Sequence, residues 1–299
     1  MTFDKLLNYI LKCAAGHGGS TDFKTVSCDL RDDIFGMSRD DFLELIPRIG
    51  IIPEIIEHDS KEEKLFTKVT EMVLARCYEE IGLRAGEYTQ RSGVADVLAK
   101  SLYHGYSLVS DAKSFRLSRT AKNQKDFKVA SMGGWKKDND YAVLCCPYFQ
   151  YPQKKSAIYK QAIENNVLLF SWEHFYFLMR HNIKEDYNLN LSYIWNYSKT
   201  LANTTTIEES KMNFLGKQNK FISKVLNVNE SYLSDVFYDA KEIILTRGEI
   251  EKYSLLTQID EIKGYSRKKA VNALIGALKL NEKILTIDKY LDTVRGKVL

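Results

Sequence analysis

The chain has 299 residues, of which 44% are hydrophobic and 27% charged, the composition of an ordinary globular protein. We find no apolar stretch long enough to span a bilayer, and the first residues have the pattern of an amphipathic helix rather than a secretory signal. The five cysteines are scattered and form no Cys-x-x-Cys pair. We therefore expect a cytoplasmic protein with reduced thiols and no membrane partner.

Positive charge is concentrated in one short segment. The whole chain carries +4, but residues 113–137 contain eight bases and one acid, so this segment carries +7 and the rest of the chain −3. A run of charge is usually a solvated face. A local cationic field is also what attracts a phosphate backbone, so nucleic-acid binding stays open at this point.

The predicted elements change character along the chain. Residues 1–100 have mainly helical patterns, including a helix over 61–82 and a short helix over 95–102. Residues 101–185 alternate between strands and helices. Residues 186–299 are nearly all helical, with a possible helix break near Gly248. We predict three regions in one compact subunit: an N-terminal helical part, a catalytic core and a helical C-terminal region.

The middle region predicts an α/β fold with a mixed central sheet flanked by helices. Continuous apolar runs at 141–146 and 167–172 are typical of strands that are buried on both faces. Two further strands are predicted, one over 106–111 and one around 127–130, and helices over 154–165 and 173–180 complete the pattern.

Two aspartates and a lysine are predicted to meet on this sheet. Asp111 ends one predicted strand, while Asp126 and Lys128 lie two residues apart on the next and would project from the same face. Carboxylates hold Mg²⁺, which polarises a phosphodiester and activates water, and an ammonium group stabilises developing negative charge. We therefore predict Asp111, Asp126 and Lys128 as catalytic residues.

An acid-x-Lys triplet alone has little specificity. The chain contains several others, such as Asp22-Phe23-Lys24 and Asp239-Ala240-Lys241, and a surface salt bridge is the ordinary explanation of such a triplet. The triplet at 126–128 is distinguished by its predicted strand and by the upstream aspartate at another strand end.

The segment between the two aspartates is basic and polar. Asn and Gln side chains pair with adenine, and Arg and Lys pair with guanine, in the major groove of DNA. We predict DNA contacts from the basic and amide side chains that this segment carries: Arg116, Arg119, Lys122, Asn123 and Lys125. A solvated polar hairpin is the alternative.

Residues 111–129 resemble the active-site segment of the type II restriction endonucleases, in the PD-(D/E)xK nuclease superfamily. The resemblance extends over about residues 44–175, through Arg48-Ile-Gly-Ile51, Glu63-Lys-Leu-Phe66, Asp140-Tyr-Ala-Val-Leu144, Phe149-Gln-Tyr-Pro152 and Asn166-Val-Leu-Leu-Phe-Ser-Trp-Glu-His174. It is weaker in the C-terminal helices and faint before residue 40.

The resemblance implies a bacterial, Mg²⁺-dependent nuclease that cuts double-stranded DNA at a short palindrome, AAGCTT. The products would carry 5′-phosphate and 3′-hydroxyl ends, and Mn²⁺ could replace Mg²⁺. It implies a homodimer, a metal held by Asp111, Asp126 and the backbone carbonyl of Phe127, base recognition by Asn123 and Lys125, and a methyltransferase that acts on the same site.

One carboxylate of the family pattern is missing from its place. The family has an acid directly before a Gln-Arg pair, but Thr89 precedes Gln90-Arg91 in this chain. Glu87 and Asp96 are the candidates for this third acid. The alternatives to a restriction enzyme are a DNA-binding protein of the same fold that does not cleave, a DNA-repair nuclease, and a structural interaction protein.

Overall fold

A computed structural model describes residues 2–15, 23–87, 95–118, 124–152, 156–203 and 212–295. The chain forms two compact units, Met1–Arg247 and Gly248–Leu299. The larger unit contains the sheet and every candidate site residue that the structure describes. None of the helices in these described ranges is both long and apolar enough to cross a membrane.

In the described residues before the sheet, the chain forms four helices. They are α1 (Phe3–Ala15), α2 (Phe23–Gly36), α3 (Arg39–Ile49) and α4 (Lys61–Glu80). Helix α4 begins at Ser60, whose side chain accepts a hydrogen bond from the N–H of Glu63, a regular N-terminal cap. Its residues from Met72 to Tyr78 are all buried, so α4 is a central helix of the core.

Five strands form one mixed sheet in the order β1 (Leu83–Glu87), β2 (Val97–Ser101), β3 (Ser107–Ala112), β4 (Tyr141–Cys146) and β5 (Val167–Ser171). The pairs β1–β2 and β2–β3 are antiparallel, and the pairs β3–β4 and β4–β5 are parallel. The continuous apolar runs of β4 and β5 are buried throughout or nearly so, as parallel strands between helices require. The mixed α/β fold predicted from the sequence is confirmed.

Helix α4 packs along β1, β2 and β3, where Tyr78 donates a hydrogen bond from its hydroxyl to Ser110 Oγ at 3.0 Å. The helices that follow β3 in the first unit are α5 (Gln124–Phe127), α6 (Val129–Trp135), α7 (Ala157–Asn165), α8 (Trp172–Arg180), α9 (Ser192–Trp195), α10 (Tyr197–Ala202) and α11 (Phe214–Leu226). A short 3₁₀ helix, Tyr148–Gln150, follows β4.

Three predicted elements were wrong. The predicted helix over 95–102 is replaced by strand β2. Val97 and Ala99 are buried, Leu98 is only partly buried and Lys100 is exposed, which is the alternation of a strand. Strand β1 lies in the part that was predicted to be mainly helical. Residues 124–135 form α5 and α6 rather than a strand, because Val129 and Met132 are buried at helical spacing while Ala130 is exposed.

The C-terminal helices are α12 (Glu230–Lys263), α13 (Arg267–Ala277) and α14 (Leu280–Arg295). Helix α12 continues through Gly248 without the predicted break, because one glycine costs a helix only about 1 kcal/mol relative to alanine. Residues from Gly248 onward belong to the smaller unit, in which α13 and α14 contact each other.

Candidate active site

Two aspartates are brought together where β2 begins and β3 ends. Antiparallel pairing sets Val97 opposite Ser110, and the N–H of Asp96 donates to the carbonyl of Ser110 at 3.0 Å. One carboxylate oxygen of Asp96, Oδ2, accepts a hydrogen bond from the N–H of Ala112 at 2.8 Å. The Asp96 side chain is therefore fixed beside the segment that carries Asp111.

A lysine completes this arrangement from the same strand end. Lys113 Nζ forms an ion pair with Asp111 Oδ2, and both side chains are largely buried. Within the described residues, Asp111 Oδ2 is buried and has no regular hydrogen bond besides this ion pair. Asp111-Ala112-Lys113 is therefore itself an acid-x-Lys triplet whose charged ends meet.

Helix α4 contributes a third carboxylate, that of Glu71. Its oxygen lies 2.5 Å from Lys68 Nζ, and Lys68 Nζ also lies 3.5 Å from Glu87 at the end of β1. Glu87 is held in addition by Arg31, at 3.2 Å. Of the two candidates for the third acid, Glu87 thus belongs to a network of ion pairs beside Glu71, whereas Asp96 lies directly beside the strand end of Asp111.

The pKa values show that these carboxylates repel one another. The pKa of Asp96 is raised to about 8, mainly by burial and also by the negative charges of Asp111 and Glu71, although the Ala112 hydrogen bond and Lys113 act to lower it. Burial also raises the pKa of Glu71, and Glu87 and Asp111 add to this effect, although its ion pair with Lys68 opposes it. Mutually raised carboxyl pKa values mark a place where a cation would be stabilised.

The backbone that carries Lys113 is held on two sides. Its N–H donates to the carbonyl of Cys145 on β4 at 2.7 Å, and its carbonyl accepts from the indole N–H of Trp172 at 3.1 Å. Trp172 is buried at the start of α8. The position of the lysine after β3 is therefore set by contacts with β4 and with the residue that follows β5.

Asp126, Phe127 and Lys128 do not have the predicted strand geometry. Asp126 and Phe127 belong to the short helix α5, and Lys128 follows it with a left-handed φ of 52°. The Phe127 ring is fully buried, with its centroid 5.6 Å from that of Phe115, and the exposed Lys128 directs its Nζ over the ring of Trp135 at 5.8 Å. The expectation that Asp126 and Lys128 project together from one strand face was wrong.

Arg116 lies in a partly buried ion pair rather than on an open surface. Its Nη2 lies 2.7 Å from Glu63 Oε1, and its Nη1 donates to the carbonyl of Pro53 at 3.0 Å. Ser118 adds two hydrogen bonds to Glu54, at 2.8 and 2.9 Å. The segment that leads into the basic region is therefore fastened to residues before and within α4.

The remaining predicted DNA contacts are only partly described. Arg119, Lys122 and Asn123 lie outside the described residues, and Lys125 is exposed on α5. The ligand atoms of His58, Asp59 and Glu63 lie within 4.8 Å of one another, yet Glu63 already holds Arg116 and accepts a hydrogen bond from the N–H of Asp59.

The sequence analysis missed Lys113 and Glu71. The triplet Asp111-Ala112-Lys113 was visible, and it stands at the end of a strand that was correctly predicted. Asp96 was named only as a candidate for the third acid, and the apolar Val97-Leu98-Ala99 that follows it was predicted as helix rather than as strand β2. Glu71 had no signal in the sequence, because only packing of α4 on the sheet brings it near Asp96 and Asp111.

Comparison with known proteins gives a family. The family model described as HindIII restriction endonuclease matches residues 4–290. This chain belongs to the HindIII restriction endonuclease family. The type II restriction enzyme HindIII of Haemophilus influenzae is 39% identical to it over 275 residues, which are 92% of each protein.

Membership of this family confirms the predicted enzyme class, a type II restriction endonuclease that acts as a site-specific deoxyribonuclease. Enzymes of this class generally need a divalent metal ion. The structure is also similar in part to restriction endonuclease FokI, with a TM-score of 0.32 and 13% sequence identity over 55% of this chain and 32% of the other.

Proposed function

We propose that this enzyme hydrolyses double-stranded DNA at a short palindrome, AAGCTT, with Mg²⁺ bound at Asp96 and Asp111 and with Lys113 as the catalytic lysine. The observation that carries the proposal is the meeting of these three side chains at the ends of β2 and β3. The same three groups have the residue types and the order, acid then acid-x-Lys, of the nuclease motif that the sequence resembles.

The donor set fits a hard divalent cation. Carboxylate oxygens are the ligands that Mg²⁺ prefers. In the described part of the chain, Asp111 Oδ2 is buried with no regular hydrogen bond besides its ion pair with Lys113. The pKa values of Asp96 and Glu71 are raised mainly by burial, and repulsion from neighbouring carboxylates adds to this effect. A bound Mg²⁺ would relieve this repulsion, polarise the scissile phosphate and lower the pKa of a water ligand.

The chain's own groups would divide the remaining work. Asp96 and Asp111 hold the metal, and the Ala112 N–H fixes the Asp96 carboxylate in orientation. Lys113 places a positive charge where the attacked phosphate gains negative charge, and burial strengthens this interaction. Glu71, on α4, would accept a hydrogen bond from a water ligand of the metal. The roles predicted for Asp126, the Phe127 carbonyl and Lys128 stay predictions without the strand geometry on which they were based.

Recognition of a palindrome requires a two-fold symmetric protein, so we propose a homodimer in which each subunit cuts one strand. We propose that Asn123 and Lys125 contact the DNA bases and that Arg119 and Lys122 contact the DNA phosphates. Arg116 is proposed to support this segment through Glu63. A methyltransferase that modifies the same sequence would protect the host, without any need to bind this chain.

The test is digestion of long, fully sequenced DNA with Mg²⁺ and with EDTA, followed by mapping of every end. We expect cuts at AAGCTT with Mg²⁺ alone, leaving 5′-phosphate and 3′-hydroxyl ends. Discrete cuts at another sequence would refute the proposed site and leave the chemistry intact. Binding of DNA by folded protein without any cleavage would refute the proposed metal-dependent hydrolysis.

A further inference from the structure

The unit formed by residues 248–299 has an unusual distribution of apolar side chains. In its described part, no hydrophobic side chain is buried. It nevertheless contains 13 large hydrophobic residues that are each at least 38% exposed: Ile250, Tyr253, Leu255, Leu256, Ile259, Ile262, Val271, Leu274, Leu278, Leu280, Ile284, Leu285 and Ile287. The rest of the described chain, although far longer, contributes ten such residues.

These side chains follow helical spacing. Val271 and Leu274 on α13 and Leu278, which directly follows this helix, recur at intervals of three and four residues. On α14, Leu280, Ile284 and Ile287 have the same spacing. A stripe of this kind belongs on the buried face of an amphipathic helix. Helices of 11 and 16 residues are marginal on their own, because most helical stability comes from packing of that face.

The unit is too small and too open to supply the missing partner surface itself. A chain segment of this size seldom builds a sufficient core without help from another protein surface. The 13 side chains expose on the order of 1,000 Å² together, compared with the roughly 800 Å² per partner that a stable interface buries.

We propose that the apolar faces of α13, α14 and the end of α12 form the interface between two copies of this chain. This inference rests on the homodimer of the proposed function and assigns that dimer a surface. A second copy is the partner that the observations favour, because a two-fold interface pairs one patch with itself and an apolar patch is self-complementary. An extended binding face for DNA would instead need cationic side chains in place of isoleucine and leucine.

The experiment measures the mass of the full chain without DNA or metal, by sedimentation velocity and light scattering over a range of concentrations. We expect twice 34.5 kDa at micromolar concentration. Leu274→Glu combined with Ile284→Glu should weaken dimerisation by at least 100-fold. The matched control, Leu102→Glu with Tyr193→Glu, changes residues that are 55% and 63% exposed in the larger unit and should leave the dimer intact.

A second pair, Leu274→Gln with Ile284→Gln, removes apolar surface without added charge, and circular dichroism checks that each variant keeps its helices. If the wild-type chain is monomeric, the proposed homodimer fails. If the wild-type chain is dimeric and both 274/284 variants stay dimeric, this surface is wrong while the homodimer stands. If the 274/284 variants keep the mass of the wild type but unfold at a lower temperature, the apolar faces pack against the same chain and the inference is overturned. If these variants keep the mass of the wild type but bind DNA more weakly, the faces bind DNA and the inference is also overturned.

Discussion

The carboxylate of Asp96 accepts a hydrogen bond from the backbone N–H of Ala112 at 2.8 Å. This contact joins Asp96, which directly precedes β2, to Ala112, which lies between Asp111 and Lys113. It gives the site a geometry that does not depend on the basic segment after residue 118, so chemistry and DNA recognition can be altered separately.

The first prediction tests whether Asp96 or Asp126 supplies the second carboxylate of the metal site beside Asp111. Asp96→Asn should lower the rate of cleavage by at least about 100-fold, because the amide removes a charge that would bind the metal. Asp126→Asn is the matched change at the residue predicted from the sequence, and we expect a much smaller loss. Rates are measured under single-turnover conditions with saturating Mg²⁺, and binding to DNA is measured with Ca²⁺. A large loss in Asp126→Asn with a small loss in Asp96→Asn would reverse the assignment.

The second prediction concerns the two lysines. Lys113→Ala should abolish most cleavage and leave DNA affinity nearly unchanged, because the side chain is partly buried in its ion pair with Asp111. Lys128→Ala removes an exposed charge and should mainly weaken binding, with a smaller salt dependence. Separate measurements of the dissociation constant and the cleavage rate distinguish these effects. Equal loss of cleavage rate in both variants would contradict the proposed division of roles.

The third prediction concerns pH in the metal-free protein. Between pH 3.8 and about 8, folded Asp96 keeps its proton while the unfolded chain has lost it, so stability should fall as pH rises through this window. The slope from this group is at most about 1.4 kcal/mol per pH unit. Asp96→Asn removes it, so the variant should gain stability relative to the wild type between pH 5 and pH 8.

Thermal unfolding in EDTA at several pH values checks this expectation. Addition of Mg²⁺ should then stabilise the wild type most at high pH, where Asp96 is ionised, and should have less effect on Asp96→Asn. Identical pH slopes for the two proteins in EDTA would show that Asp96 does not titrate in this window.

The fourth prediction concerns Arg116. Arg116→Ala should lower the free energy of unfolding by about 1–3 kcal/mol, because the largely buried Glu63 carboxylate loses its arginine ion pair and keeps only weaker hydrogen bonds such as that from the Asp59 N–H. Glu63→Gln should have an effect of similar size, and a double-mutant cycle should show strong coupling. Denaturant unfolding gives these values. Unchanged stability of Arg116→Ala, with weaker DNA binding, would return Arg116 to the direct DNA contact predicted from the sequence.

The fifth prediction concerns base choice. Lys125→Ala should relax or lose sequence discrimination at a cost of about 1–3 kcal/mol, and should leave the metal requirement unchanged. Sequencing of all ends after exhaustive digestion measures this change, with Lys128→Ala as the control for a lost charge. Loss of rate at every sequence in equal proportion would show that Lys125 contributes no base recognition.

The strands with long apolar runs could be predicted from the sequence, and β3, β4 and β5 lie close to their predicted places. The short helices α5 and α6 could not, because helices of four and seven residues are too short for helical periodicity to differ from a strand pattern. The sequence resemblance, which covers about residues 44–175, indicated the family without resolving these elements.

The site was predicted in part for a similar reason. Both Asp111-Ala112-Lys113 and Asp126-Phe127-Lys128 satisfy the acid-x-Lys pattern, and the choice between them depends on which one an upstream acid meets. That meeting is made by antiparallel pairing of β2 with β3, a contact between distant residues that local sequence does not encode. Asp111 was predicted to end its strand and lies one residue before β3 ends at Ala112, because the residues from Tyr106 to Ser110 alternate and favour a strand.

The order of the strands across the sheet, β1 to β5, is also the order in which they leave the ribosome. Glu71, Asp96, Asp111 and Lys113 are all made in the first 113 residues, and Trp172, which holds the Lys113 carbonyl, follows soon after. Nascent domains generally fold from the N-terminus as they are synthesised. The helices of the proposed dimer interface are translated last, so we expect a growing chain to assemble its carboxylates well before it can pair with a second copy.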